Sequence, residues 1–198
     1  MQDDDAYARL IQNASDASQR TDDIPAFSGS VNGRQPYPLE KWNPSHCGYV
    51  DIAIDRDGRW FHEGSEIKRA ELVSLFAGLL RREEDGCYYL VTPVEKVEVS
   101  VALHPLMVVD ATPMGSGAEQ VLALVLNTGG IFQLDLTVGL HAEPRAAGAA
   151  FIKLPNGLTA LFTRAAWYRL VEIADDKGCV LSGNKRFSLL GNDQPSRD

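Results

Sequence analysis

Hydrophobic and polar positions alternate over short stretches along most of the chain, which predicts β-strands joined by tight turns. The clearest stretch is YVDIAID, residues 49–55, in which every second side chain is apolar. Asp57-Gly58 follows it and predicts a hairpin turn, because glycine accepts the positive φ that such turns need. The stretch at residues 95–103 also alternates, and residues 121–136 predict two strands joined by a Thr-Gly-Gly turn, so further sheet is expected in the middle of the chain.

Two other stretches repeat apolar residues at helical spacing. SEIKRAELVSLFAGLLRREEDG, residues 65–86, predicts a helix that ends at its Asp-Gly pair. TRAAWYRLVEIADDKG, residues 163–178, predicts a second helix that also ends at a glycine. A third, short helix is predicted in residues 3–19, where the aspartates would lie at the positive end of the helix dipole.

The elements occur twice in one order: strand, glycine turn, strand, helix, glycine–cysteine pair, strand. Asp57-Gly58 corresponds to Asn156-Gly157, and Gly86-Cys87 corresponds to Gly178-Cys179. We predict an α+β fold of two related units, each a small antiparallel sheet with one main helix; chance recurrence of common elements is the alternative. The predicted divisions are an N-terminal arm with a short helix, a first unit, a strand-rich second unit and a polar tail, at residues 1–40, 41–99, 100–190 and 191–198.

Composition and charge narrow the classes of partner. The chain has 198 residues and a formal net charge of −8. An acidic protein lacks the basic face that duplex DNA requires, so we expect no duplex nucleic acid partner. The acidic start has no secretory leader and no apolar run approaches the ~20 residues of a membrane span, so we expect a cytoplasmic protein without membrane contact. Three scattered cysteines and four histidines without ligand spacing favour neither disulfides nor a metal site.

One long stretch resembles a known family. WNPSHCGYVDIAIDRDGRWFHEGSEIKRAELVSLF, followed by YYLVTPVEKV, is similar to the bacterial domain of unknown function 1285, strongly over about residues 42–99. A looser similarity continues through LNTGG, GLH and GLTALFTRAAWYRLV. The resemblance implies a duplicated unit, a pleckstrin-homology-like C-terminal half, no established catalysis, and a small, nucleotide-like ligand between the halves with a link to signalling. The chain departs from the family pattern at VALHPL, residues 101–106, and at HAE, residues 141–143.

Arg69 and Arg164 occupy the same place in the two predicted helices. A cation in the first turn opposes the helix dipole and costs up to ~1 kcal/mol. Such a cost at two corresponding positions suggests a use for each side chain. One use is a salt bridge, for example with Glu66, Glu95 or Asp135. The other is binding of an anion, since a guanidinium matches phosphate or carboxylate.

The TPVEK stretch adds a polar cluster where the chain leaves the first predicted unit. Thr92 offers a hydroxyl, Glu95 an acceptor and Lys96 a positive charge. The cluster fits either a crevice between the units or an edge strand with a surface ion pair. Trp60, beside the first turn, fits either the core or a face on which a base could stack.

The first functional hypothesis is a non-catalytic protein that binds or senses a small anionic, nucleotide-like ligand between the units, without cofactor or metal. A local basic pocket can bind a small anion within an acidic protein. The alternatives are a hydrolase of a phosphorylated small molecule, with a base among Glu95, His62 and Asp51, and a protein-interaction scaffold. The oligomeric state stays open. The predicted ligand-binding residues are Trp60, His62, Arg69, Thr92, Glu95, Lys96 and Arg164.

Overall fold

The computed structural model describes residues 3–18, 29, 31, 36–45, 47–117 and 120–189. The predicted polar tail, His46 and most of the stretch between residues 19 and 35 lie outside this part of the chain. Helix α1 spans Asp3–Ser18, within the stretch for which a short helix is predicted. No helix among the described residues is long and apolar enough to cross a membrane.

The first unit contains, in chain order, β1 (Cys47–Gly48), β2 (Ile52–Ile54), β3 (Trp60–His62), β4 (Ser65–Glu66), α2 (Ala70–Leu79), β5 (Leu80–Arg82), β6 (Tyr88–Val91) and β7 (Lys96–Val101). The strands form one sheet in the order β4-β3-β2-β7-β6-β5. β1 pairs in parallel with the start of β7, and β2 pairs in parallel with its end. The other neighbours are antiparallel.

The second unit contains β8 (Leu106–Met114), β9 (Val121–Leu126), β10 (Ile131–Gln133), β11 (His141–Glu143), β12 (Ala149–Lys153), β13 (Thr159–Phe162), α3 (Arg164–Ile173), β14 (Cys179–Ser182) and β15 (Lys185–Ser188). Six strands form a sheet in the order β10-β9-β8-β13-β12-β11, and β14 and β15 form a separate hairpin. β8 and β13 pair in parallel at the centre, and their other neighbours are antiparallel.

The two sheets share one plan, which confirms the predicted α+β fold with two similar units. In each, two antiparallel three-stranded meanders meet through one parallel central pair, β2 with β7 and β8 with β13. This plan equates β2–β4 with β8–β10 and β5–β7 with β11–β13, a different correspondence from the one based on the glycine turns. The helices also differ in place, because α2 connects β4 to β5 whereas α3 follows β13. The pleckstrin-homology-like character of the second unit stays a prediction.

Some element boundaries differ from those predicted. The helix predicted over residues 65–86 spans only Ala70–Leu79, because Ser65–Glu66 pairs with β3 as strand β4 and Leu80–Arg82 pairs with β6 as strand β5. β8 continues to Met114 in register with β9, through residues for which sequence analysis predicts no strand. In each place backbone pairing with a neighbouring strand decides the local conformation.

One hydrophobic core runs through both units and includes buried residues of α1, the two sheets and the β14–β15 hairpin. Strand alternation explains which side chains reach it. On β7, Val97 and Val99 are buried, whereas Glu98 and Ser100 are exposed. Leu10 of α1 is fully buried in the same core, so α1 is an integral layer of the first unit.

The two predicted glycine turns meet the opposite unit. Gly58 has a φ of +72°, and a Cβ there would lie 2.6 Å from Cγ of Met107 on β8. Asn127, after β9, donates its Nδ2 to the carbonyl oxygen of Gly58 at 3.2 Å. In the second unit, Gly157 has a φ of +69°, and a Cβ there would lie 3.1 Å from Cβ of Arg82 on β5. Each unit therefore inserts one tight turn against the other.

Candidate functional site

Helix α1 packs over a group of aromatic rings on the first unit. Tyr7 stacks on the imidazole of His62, with ring centroids 3.7 Å apart and 10° between the planes. Phe76 of α2 meets the edge of Tyr7 at 6.2 Å, and its centroid lies 6.1 Å from that of Trp60. Trp60 and His62 are two residues apart on β3, so they face the same side of the sheet. We call Tyr7, Trp60, His62 and Phe76 the aromatic cluster.

Two ring nitrogens of the aromatic cluster are buried without a hydrogen-bond partner in the described part of the chain. They are Nε1 of Trp60, a residue only 1% exposed, and Nε2 of His62. An unsatisfied buried polar group costs roughly 1–3 kcal/mol. The indole nitrogen can only donate, so the cluster holds at least one unused donor that points into the protein.

A second group of predicted residues fixes the other end of α1. The Thr92 hydroxyl donates to the carbonyl oxygen of Glu95 at 3.0 Å and accepts from its backbone N–H at 3.1 Å, which closes a tight turn. The turn holds the carboxylate of Glu95, a residue 2% exposed, against α1. There Asn13 donates to one carboxylate oxygen at 2.6 Å, and Nε of Arg9 lies 3.5 Å from the other. Thr92 thus positions Glu95, and Glu95 anchors α1.

Arg69 lies at the edge of the aromatic cluster. It immediately precedes α2, its side chain is exposed, and it makes no hydrogen bond that caps the helix. Burial raises the pKa of the Tyr7 hydroxyl above its usual value, and the positive charge of Arg69 opposes part of that rise. None of the ion pairs among the described residues involves Arg69. Within the described part of the chain, its guanidinium thus has no ion-pair partner beside the cluster.

Lys96 and Arg164 lie apart from these residues. Lys96 points to the opposite face of β7 from Val97, where its Nζ is 2.9 Å from a carboxylate oxygen of Glu83 and 4.6 Å from the centroid of Tyr89. Arg164 is the first residue of α3, and its guanidinium lies 5.8 Å from the ring centroid of Tyr168 in the same helix. The structure thus gathers five of the seven predicted residues around α1 and leaves these two elsewhere.

The comparisons with known proteins agree with the resemblance in the sequence. Residues 37–102 match the N-terminal domain of a domain of unknown function, DUF1285, and residues 105–189 match the C-terminal domain of the same family. The chain belongs to the DUF1285 family. No curated protein matches it significantly.

Two solved structures of DUF1285 family proteins are similar to the chain. The first, from Silicibacter pomeroyi DSS-3, is 30% identical, with 92% of this chain and 94% of that chain covered and a TM-score of 0.70. The second, from Shewanella baltica OS155, is 27% identical, with 62% of this chain and 91% of that chain covered and a TM-score of 0.52. These similarities therefore show that the chain has the two-domain organisation and the fold of this family.

The structure adds three residues of α1 to the candidate site of this DUF1285 protein. Tyr7, Arg9 and Asn13 contact His62 and Glu95, although sequence analysis assigned them only to a helix. The chain has no local signal for these contacts, because they join residues more than fifty positions apart.

The segments at residues 101–106 and 141–143, for which sequence analysis expects a departure from the family pattern, meet in the second unit. His104 lies in the first segment and Glu143 in the second, and Nε2 of His104 is 2.9 Å from Oε2 of Glu143. Both residues are buried. Asp51, a candidate base for a hydrolase, is exposed. A buried histidine–carboxylate pair is therefore present, but it uses different residues from those that sequence analysis considered.

Proposed function

We propose that this DUF1285 protein is a ligand-binding or sensing protein, and that a small anionic, nucleotide-like ligand binds, without catalysis at that site, where α1 covers the first unit. The observation that carries the proposal is the pair of buried, unpartnered nitrogens on one face of β3, Nε1 of Trp60 and Nε2 of His62. Buried polar nitrogens without partners are costly, so a site that keeps them suits a ligand with hydrogen-bonding groups, including an acceptor oxygen for the indole N–H of Trp60.

The surroundings of these nitrogens favour an anion. The guanidinium of Arg69 is exposed at the rim and offers a planar fork of donors to phosphate or carboxylate. Arg69 also stands at the N-terminal end of α2, where the helix dipole adds positive potential and the Arg69 side chain itself does not cap the helix. The guanidinium of Arg69, the N-terminal end of α2 and the two ring nitrogens therefore lie on the same side of the first sheet.

The stacking of Tyr7 on His62 favours a ligand with a flat ring. At a separation of 3.7 Å, the imidazole face of His62 already holds one aromatic ring. A nucleobase could take the place of the tyrosine ring, since every base offers a π-face. The phosphate of such a nucleotide would then point to Arg69. Because the base would replace Tyr7, ligand binding would displace α1, and this movement could serve as the signal. A role in bacterial signalling is part of this proposal.

The test is a thermal-shift and calorimetric titration with inorganic phosphate, AMP, GMP and ADP. We expect at least one nucleotide to raise the unfolding temperature of the native protein. Arg69→Gln should weaken binding by about tenfold, the loss of one charge-assisted hydrogen bond of about 1.5 kcal/mol. Trp60→Phe keeps the ring but removes the donor, and should also weaken binding.

Matched variants make the titration decisive. Arg164→Gln removes the corresponding arginine of α3 and should leave binding unchanged, because Arg164 lies away from the aromatic cluster. Tyr7→Ala clears the face of His62 and should strengthen binding of nucleotides but not of inorganic phosphate. The proposal fails if no nucleotide binds to the native protein or to Tyr7→Ala, or if Arg69→Gln and Arg164→Gln bind alike.

A further inference from the structure

A chain of hydrogen bonds in the second unit links a hydroxyl, an imidazole and a carboxylate. Nδ1 of His104 is 2.7 Å from Oγ1 of Thr159 at the start of β13, and Nε2 is 2.9 Å from Oε2 of Glu143 on β11. His104 is 3% exposed and packs against the ring of Phe151 at 4.9 Å. Thr159 is only partly buried, so the chain runs from the interior towards solvent.

The carboxylate end fixes the direction of these bonds. Arg145 donates Nε and Nη2 to the two oxygens of Glu143, each at 3.0 Å, and its backbone N–H donates to Oε1 at 2.9 Å. These bonds lower the pKa of Glu143 to about 2, so the group is an acceptor at neutral pH. Nε2 of His104 must then carry the proton, and Nδ1 accepts from the Thr159 hydroxyl.

His104 is in the state that a general base needs. Burial lowers its pKa below the usual value, and Arg145 adds to this effect, while Glu143 opposes it. The ring is therefore neutral at pH 7, with its free lone pair on the nitrogen that meets the hydroxyl. A nucleophile, a base within hydrogen-bond reach and a group that orients the base are the three parts of an activated hydroxyl.

A pocket lies at the end of β12, the strand next to Thr159. Lys153 on β12 is the direct cross-strand partner of Thr159, so their side chains point to the same face about 5 Å apart. Lys153 also lines a pocket of about 570 Å³ between β10, the following loop and the end of β12. Its walls combine apolar and polar side chains, among them Val138, Leu154 and Gln133. Among the described lining residues Lys153 is the cation and Asp135 the carboxylate, and Lys153 can pair with an anionic group of a small molecule that enters the pocket.

We propose that Thr159, His104 and Glu143 form an acyl-transfer site that hydrolyses small esters carrying an anionic group. Thr159 Oγ attacks the ester carbonyl carbon while its proton moves to Nδ1 of His104. The bond to the alcohol breaks, and that proton passes to the departing alkoxide. Water then attacks the acyl-threonine and gives a proton to His104, which returns it to Thr159 as the acid leaves. Glu143 is a positioning residue, and this site is independent of the one beneath α1.

The test uses two chromogenic esters, p-nitrophenyl acetate and the acidic mono-p-nitrophenyl glutarate, with the full-length protein. We expect release of nitrophenolate and, by peptide mass spectrometry of the unmutated protein, an acyl group on Thr159. Thr159→Val is nearly isosteric and should reduce the rate by on the order of a hundredfold. Thr159→Ser should retain activity, and Thr112→Val, at an exposed threonine of β8, should change nothing.

The pH profile separates catalysis from a structural role. The rate should rise with pH, with its midpoint at the pKa of His104, which burial lowers below the usual value of 6.5. His104→Gln should abolish this rise. Glu143→Gln removes the charge that favours the imidazolium and should move the midpoint to lower pH. Lys153→Met should raise KM for the acidic ester and leave that for the acetate unchanged. Acylation confined to lysine or tyrosine side chains, or rates equal in native protein, Thr159→Val and His104→Gln, would overturn the proposal.

Discussion

Gly58 occupies a position where a methyl group does not fit. Its φ of +72° is strained for alanine, and the added Cβ would come within 2.6 Å of Met107 and 3.0 Å of Asn127. Gly64 has the same φ with no atom within 4 Å of its added Cβ. We expect Gly64→Ala to cost about 1 kcal/mol, the conformational cost alone. Gly58→Ala should cost about 2–4 kcal/mol, because overpacking adds to it. Urea unfolding measures both; equal losses would show that the turn does not press on the second unit.

A second residue, His104, gives a prediction about acid stability. Its pKa is lowered in the folded protein, so the unfolded chain binds a proton at a higher pH, near 6.5. The free energy of unfolding therefore falls as pH drops from 7 through 6.5 towards the folded pKa. Glu143, with a folded pKa of about 2, adds a loss between pH 4.5 and 2. His104→Gln should flatten the decline between pH 7 and 5, and an unchanged slope in urea titrations would contradict this.

The secondary-structure elements show which features of the fold a local sequence pattern can predict. The alternation in residues 95–103 predicted β7, and its buried Val97 and Val99 follow that pattern. Strand pairing is not a local property of the sequence. The sequence pattern therefore predicted two similar units, but it matched the strands of one unit to the wrong strands of the other. The same limit applies to the candidate site. Residue chemistry singled out His62 and Glu95, whereas the helix that covers them could be predicted only as a helix.

Helix α1 offers an adjacent pair of amides that tests its docking. Asn13 donates to the buried carboxylate of Glu95 at 2.6 Å, whereas Gln12 is exposed and donates to Asp16 in the same helix at 2.8 Å. Asn13→Ala should cost about 1–3 kcal/mol, because it removes a donor from a buried carboxylate. Gln12→Ala should cost less than about 0.5 kcal/mol. Unfolding in urea gives the two values, and proteolysis within residues 3–18 should accelerate only in Asn13→Ala. Equal effects would mean that Glu95 does not anchor the helix.

At the scale of the whole molecule, two sheets of the same plan share one interior. The core cluster joins Leu10 of α1 to Phe187 of β15 without a break. The turns at Gly58 and Gly157 extend the contact at the surface, each against a strand of the other unit. A duplicated fold often gives two independent domains, but here the main core is common to both units, and only a small second cluster of Leu103, Met107 and Leu161 lies beside the second sheet. The two family matches, at residues 37–102 and 105–189, therefore mark sequence blocks that contribute to a common core.

This shared core predicts cooperative unfolding. Separating the units would expose apolar surface on both, at a cost of about 25 cal/mol per Å². A state in which only one unit is unfolded would bear this cost and would gain only part of the conformational entropy of full unfolding. We expect one calorimetric transition, with equal calorimetric and van't Hoff enthalpies. Gly58→Ala should lower its midpoint without splitting it, since strain at the junction destabilises both units together. Residues 1–104 and 105–198, produced separately, should lack cooperative transitions. Two resolved transitions, or a folded isolated half, would show that the units merely touch.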